Sequence, residues 1–541
     1  MCFSYESSTY NFQDAWFEVA FIRSNVVQTI PGGISNVIAA VVELMFGGSG
    51  HDMCSAGVHV KLNGGDHLHI TASLGLIIAD EAALHMMYMC KGSSGLKPCM
   101  LCANIFNRND ERDVLQHDHT GLAEYHTCSD FNKLVLHTSA TIRAIIARLQ
   151  AGSTTLTKGA FTELQRKLGW NFCPGSLTLR PRILDICDPV KVVLYDWMHI
   201  FFVNGVFNAH VGLFMAAMKP HAVTYSLLEK YIDEWTWPKQ FNGAHGVLDE
   251  KRAHSSWVAE TLKATASESL SLMPVLAGFV EAVCRKSSVN EVLMHSRCFL
   301  GLVDIIENVM RSARSVVDCN ALERSISAYL SAFKALYGPE EMTPKFHYMM
   351  HYPAFLGRWH IIPNCFVLER KHKLPKRYAN PILNTKADWE VSVLREVTNS
   401  HLASLGDTVV FDDGAALLSP HRAGRRMNSM LQHQFGFGLD VMFMASKHAR
   451  MNEWDRCSVN DVVQLHDESV GEVVLHAAYQ QGDAWVCFTA LRTLTLVKRE
   501  GRCKTWLPTK APMIRLLSDI KCALTWAKVG PNVRTLRPLH G

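Results

Sequence analysis

Four residues of metal-ligating type stand in two short motifs, Cys99-Met100-Leu101-Cys102 and His347-Tyr348-Met349-Met350-His351. Two thiolates and two imidazoles make the complete tetrahedral set of a structural Zn²⁺ ion. Each motif has an acid nearby: Cys99 follows Asp80 by 19 residues, and Glu369 follows His351 by 18. One ion binding both motifs would clamp two remote segments and bring Asp80 near Glu369. Carboxylates held close together are what divalent-metal phosphoryl chemistry requires. A third acid lies in Asp196-Trp197-Met198-His199, inside an apolar run where an ionised carboxylate is costly unless paired or bound to metal.

Each of these residues also has a plainer reading. Cys-x-x-Cys alone is half a zinc site or a redox pair, but no thioredoxin-like strand and helix surround it. Lys91-Gly92-Ser93-Ser94-Gly95 and Lys97-Pro98 place it on a loop, where sulfurs can converge on an ion. His347 and His351, four apart on a helix opening at Pro344, face one side. The Glu of a zinc protease motif is missing between them, which removes that reading. Asp80 precedes Glu81-Ala82-Ala83-Leu84 and fits a helix N-cap. Glu369 fits an i,i+4 pair with Lys373, and Asp196 fits a bond to His199 or to the backbone. The basic residues Arg370, Lys371, Lys373, Lys376 and Arg377 would hold a DNA backbone beside Glu369.

The elements that must position these groups follow from periodicity. Leu74 to Asp80 reads as a buried strand ending on an acid, preceded by a hairpin of Gly57–Leu62 and His67–Thr71 turning at Gly64-Gly65-Asp66. The first fifty residues read as helical, from Asp14 through Val27 and again from Val37 to Met45. Helices are expected near 132–150, 155–168, 188–218, 267–284, 290–316, 320–337, 343–357 and 387–404. After about residue 405 strands take over, at 461–465, 471–475, 484–488 and 494–497, with the size of a small antiparallel barrel. Trp485, Phe488, Trp506 and Trp526 fit the core of that barrel, so no ligand is assigned to it.

At 541 residues the chain needs two or three domains. With 48% hydrophobic and 19% charged residues it has the composition of a folded protein rather than a disordered one. A net charge of +4 is too small to identify a nucleic-acid partner, so any such surface must be local. Sixteen irregularly spaced cysteines, and no basic-then-apolar leader at Met1, point to reduced thiols in cytosol or nucleus. Val192 to Met218 is the most apolar stretch, but Asp196, His199, Asn204, Asn208 and His210 interrupt it. It reads as a buried helix, with no membrane segment expected. There is no repeat, no low-complexity tract, no phosphate-cradling P-loop and no Gly-x-Ser-x-Gly elbow, which disfavours an ordinary metabolic hydrolase.

Taken in order, the motifs resemble those of CACTA-superfamily transposases, especially the Plavaka-like branch, over roughly residues 12–405. The matching stretches are Asp80-Glu81-x-Ala83, Lys91-Gly92, Cys99-x-x-Cys102, Asp196-x-x-His199 with Asn204-Gly205-Val206, and Pro344-x-x-His347-x-x-x-His351-x-x-x-Phe355-Leu356. Glu369-Arg370-x-x-x-Leu374 follows, ending near Asn380. The resemblance implies an α/β fold with an incomplete ribonuclease-H-like core, a large all-α insertion and a carboxy-terminal β-barrel. The expected domains are 1–130 for the first part of the core, 131–340 for the insertion, 341–405 for the return of the core, and 406–541 for the β-rich end. By the same resemblance, Asp80 and Glu369 are the second and third acids of a DDE centre using Mg²⁺ or Mn²⁺, and Asp196 is a lesser catalytic candidate. Cys99, Cys102, His347 and His351 become a structural Zn²⁺ clamp. Metal-dependent DNA cleavage and strand transfer in the nucleus by a homodimer is the implied activity, conditional on a complete set of acids, since loss of one should weaken or abolish two-metal placement. An inactive DNA- or chromatin-binding protein of transposon origin is the alternative. The chain departs from the family at its start, where the first Asp should lie on an opening strand. Asp14 and Glu6 are poor substitutes, so that acid and any module before it are expected to be missing.

Overall fold

The computed structural model describes residues 2–3, 16–48, 52–61, 65–107, 123–125, 128–241, 243–381, 388–406, 414–436, 438, 441–452, 455–482 and 484–536. The fold is mixed α/β. The chain forms two compact units, one of residues 1–201 with 317–408 and one of 202–316 with 409–541. The helical stretch expected over 131–340 therefore contributes to both.

In the first unit a short strand β1 (Ile77–Ala79) lies parallel to β2 (Val193–Tyr195). Isoleucine, valine and tyrosine at these positions favour strand, and all three residues of β2 are fully buried, as parallel strands require. Their register is Ile77 with Val193, Ile78 with Leu194 and Ala79 with Tyr195. Asp80 and Asp196 are thus the next residues beyond the carboxyl ends of two neighbouring strands, the end at which α/β sheets bind ligands.

Helix α1 (Glu81–Tyr88) begins directly after β1, capped by Asp80, whose Oδ1 accepts from the Ala83 N–H at 2.6 Å. Helix α2 (Trp197–Phe201) follows β2 in the same way. Helix α3 (Pro344–Tyr348) starts with proline in its first turn and runs through a 3₁₀ turn, Met349–His351, into a helix over Tyr352–Trp359. Helix α4 (Phe366–Lys371) carries Glu369, and a second short helix over Lys373–Ala379 carries the rest of the basic run.

Two expectations fail here. Phe17–Glu18 is extended and pairs with Cys2–Phe3, so helix begins only at Ser24, not at Asp14. Asp14 and Glu6 themselves lie outside the described residues. The 188–218 helix is broken as well: β2 occupies its start, and Asn204, with φ of 45°, followed by Gly205 ends α2 before helix resumes over Val206–Met218. The β-branched, aromatic run of β2 out-competes its helical periodicity.

The second unit joins the helices Val206–Met218, Ala266–Ala282 and Asn290–Arg311 to a curled antiparallel sheet of ten strands. The two strands expected at 484–488 and 494–497 are one, Ala484–Glu500, bent by register shifts near Arg492 and Leu496. Thr489 to Thr493 contains no turn former to break it. Phe488 and Trp506 are buried, whereas Trp485 is exposed. Arg502 is held by Glu281, Asp304 and Glu307. The apolar stretches Trp197–His221 and Ala266–Lys286 are long enough to cross a bilayer, but 67% of an 18-residue apolar window in each is buried within the protein.

Candidate metal centre and acid cluster

The loop after α1 places the cysteine pair. It is pinned at Ala103 N–H to Val135 C=O and at His137 N–H to Leu101 C=O, both 2.8 Å. The 3₁₀ turn after α3 keeps His347 and His351 on one side, with ring centroids 5.1 Å apart and planes nearly perpendicular. The four expected ligands come together: one ligand atom from each of Cys99, Cys102, His347 and His351 lies within 4.8 Å of all the others, and all four residues are buried. His351 Nε2 is 3.3 Å from Cys99 Sγ and 3.6 Å from Cys102 Sγ.

Two features of the cluster are consistent with a structural metal. Both ring nitrogens of His347 are buried without a well-formed hydrogen bond, and the polar group that lies against the ring is the Cys99 thiol. The thiols are also split: burial pushes Cys99 up, but Cys102 and the two imidazoles outweigh it and hold Cys99 well below its usual value. Burial and Cys99 together push Cys102 well above it. The pocket therefore favours a single negative charge, on Cys99, and the second thiolate would form only with a cation present. The donor set, two soft sulfurs and two imidazoles gathered within 4.8 Å, fits a structural metal.

Next to the clamp lies a second cluster. Tyr195, the last residue of β2, stacks on Tyr348 at 4.6 Å, and its hydroxyl is 3.6 Å from Cys99 Sγ. The following residue, Asp196, is 1% exposed. Its Oδ1 accepts from Met198 N–H at 3.3 Å and Cys365 N–H at 3.0 Å. Its Oδ2 accepts from His199 N–H at 3.2 Å and, at short range, faces His199 Nδ1. The other ring nitrogen, Nε2, is 3.4 Å from Glu369 Oε1. Lys345 Nζ donates to the His199 carbonyl at 3.1 Å.

The three candidate acids share this neighbourhood. Burial lowers His199, but Asp196, Glu369 and Asp80 together raise its pKa above the ordinary value. Burial pushes the Cys365 thiol well up, and the same three acids add to the shift. Lys345 is lowered by burial against the opposing pull of Glu81, Asp80 and Asp196. Asp80 performs the expected N-cap with Oδ1, and among the described residues its Oδ2 accepts no hydrogen bond. Glu369 is half-exposed and turns to His199.

The basic run divides. Arg370, Lys373, Lys376 and Arg377 are exposed, but Lys371 is 2% exposed and its Nζ lies 3.3 Å from Glu18 Oε2. As an inward-facing ion pair, Lys371 is unavailable to a DNA backbone, which corrects its assignment to the binding strip. Lys345 and Cys365 were not anticipated. Their signals were position alone: Lys345 precedes His347 by two residues, and Cys365 is one helical turn before Glu369. Compared with known protein families and with curated proteins, the chain matches none.

Proposed function

We propose that the chain is a transposase-like protein of the CACTA superfamily, with Zn²⁺ in the Cys99–Cys102–His347–His351 clamp and a ribonuclease-H-type acid centre cutting and joining DNA. The observation that carries this reading is that Asp196 and Glu369, 173 residues apart, both meet the His199 ring, with Asp80 near enough for its charge to act on the same imidazole. Asp80 and Asp196 flank the ends of parallel strands, and Glu369 approaches from a helix. Asp80 Oδ2 and the half-exposed Glu369 carboxylate are the oxygens open to Mg²⁺ or Mn²⁺. When bound, such an ion polarises the phosphodiester and activates the attacking oxygen. The chain's own part is to hold these oxygens in place and to present Arg370, Lys373, Lys376 and Arg377 to the DNA backbone. A homodimer acting in the nucleus, pairing two DNA ends, completes the proposal.

The experiment is direct. Full-length protein with Mg²⁺ or Mn²⁺ nicks or joins terminal-repeat DNA, and Glu369→Ala abolishes the activity. Salt-sensitive DNA binding with no cleavage under any metal condition would favour the second reading, a DNA- or chromatin-binding protein of transposon origin.

A further inference from the structure

Of the three clustered acids, Asp196 is the most enclosed and the most completely bonded. Four N–H groups point at its two oxygens, three from the main chain of Met198, His199 and Cys365 and one from the His199 ring. An oxygen that already accepts two hydrogen bonds has no good lone pair left for a cation. Asp80 and Glu369 differ, since each keeps an oxygen free of such donors or turned to solvent. Asp196, His199 and Cys365 place one ligand atom each within 4.8 Å of one another. The filled carboxylate argues against a metal in that trio.

His199 is fixed at three points. Asp196 takes Nδ1, Lys345 Nζ takes the carbonyl, and Nε2 is left facing Glu369 at 3.4 Å. An imidazole clamped in this way fixes both the position and the angle of the carboxylate beyond it. We infer that Asp196 is a positioning residue: through His199 it holds Glu369 beside Asp80, while its own oxygens stay off the catalytic cation. The inference rests on the phosphodiester reading above and names which acids of that centre meet the ion.

The test uses full-length chain at one fixed pH, with free Mn²⁺ followed by electron paramagnetic resonance. His199→Ala is expected to weaken Mn²⁺ binding about tenfold or more, the usual effect of removing a group that orients a ligand. His199→Gln, whose amide can still donate toward Glu369, is expected to restore most of it. Asp196→Asn should weaken binding to a similar extent, and the double variant Asp196→Asn/His199→Ala should be no weaker than His199→Ala alone. Loss of a bound ion in Asp196→Asn, or additive losses in the double variant, would make Asp196 a direct ligand and overturn the inference.

A second measurement does not depend on Mn²⁺. In ¹⁵N-histidine-labelled protein the His199 signals are identified by their absence from His199→Gln. Glu369→Gln, at a half-exposed site that leaves the fold intact, should shift the Nε2 signal. No shift would overturn the relay even if Asp196→Asn fails to fold. A wild-type chain that takes up no Mn²⁺ overturns the parent reading. One that binds Mn²⁺ without the non-additive pattern overturns only the role given to Asp196.

Discussion

The hydroxyl of Tyr348 lies 3.1 Å from Glu81 Oε1 and 3.0 Å from the Pro98 carbonyl oxygen. It joins the neighbour of one clamp ligand, His347, to the neighbour of one candidate acid, Asp80. Tyr195 makes the matching link on the other side, between Cys99 and Asp196. The clamp and the acid cluster are therefore one mechanical body, connected by two stacked tyrosines.

Disturbing the clamp should consequently disturb the acids. Elemental analysis of the purified chain is expected to find one zinc per molecule, and Cys102→Ser to lose it. Leaving His347 and the remaining thiol buried without their partner costs roughly 3–5 kcal/mol. At somewhat under about 2 °C per kcal/mol for a unit of this size, the melting transition falls by roughly 5–8 °C in calorimetry. DNA cleavage falls with it, although no acid has been touched.

Lys371 and Lys373 are two residues apart and should behave oppositely. Lys373→Ala and Arg377→Ala weaken DNA binding evenly across sequences, and each flattens the dependence of affinity on salt by about one counterion. Lys371→Ala leaves that slope alone. It leaves the Glu18 carboxylate, which has only 9% of its side chain exposed, facing the His401 ring at 4.0 Å without its lysine, and lowers stability by about 3 kcal/mol in urea unfolding.

Acid should loosen the second unit before its carboxylates protonate. Burial, with His295 adding to it, lowers His210 to about 3. Burial and His448 lower His476 to about 4. Both folded values lie below the unfolded value near 6.5, so the unfolded chain takes up the protons first. The stability tied to these neutral rings is complete above about pH 6.5 and drains away as pH falls toward 4 and 3. Each ring adds a slope of up to about 1.4 kcal/mol per pH unit. Urea unfolding at stepped pH should show this decline, and His476→Gln should remove about half of it above pH 4.

How much was readable in the sequence depended on how local the information was. Cys99, Cys102, His347 and His351 announce themselves because ligand type and short spacing are properties of a few adjacent residues. Asp80 as a cap, and the helix it starts, were legible for the same reason. The contact of His199 Nε2 with Glu369 was not, because it is made by residues 170 apart and no spacing encodes it. The burial of Lys371 was hidden inside a run of like charges, since only the opposing Glu18, in a strand misread as helix, reveals which cation turns inward. The 188–218 stretch failed through competition, apolar enough for a helix yet β-branched where it meets β1.

Asp80 gives one oxygen to the Ala83 N–H, and among the described residues the other accepts no hydrogen bond. Asparagine reproduces the first job and not the second, since its carbonyl can start the helix while its amide carries no charge. A single-atom exchange at this position thus separates architecture from reactivity. Any loss seen in Asp80→Asn belongs to the chemistry alone, which few residues in the cluster permit.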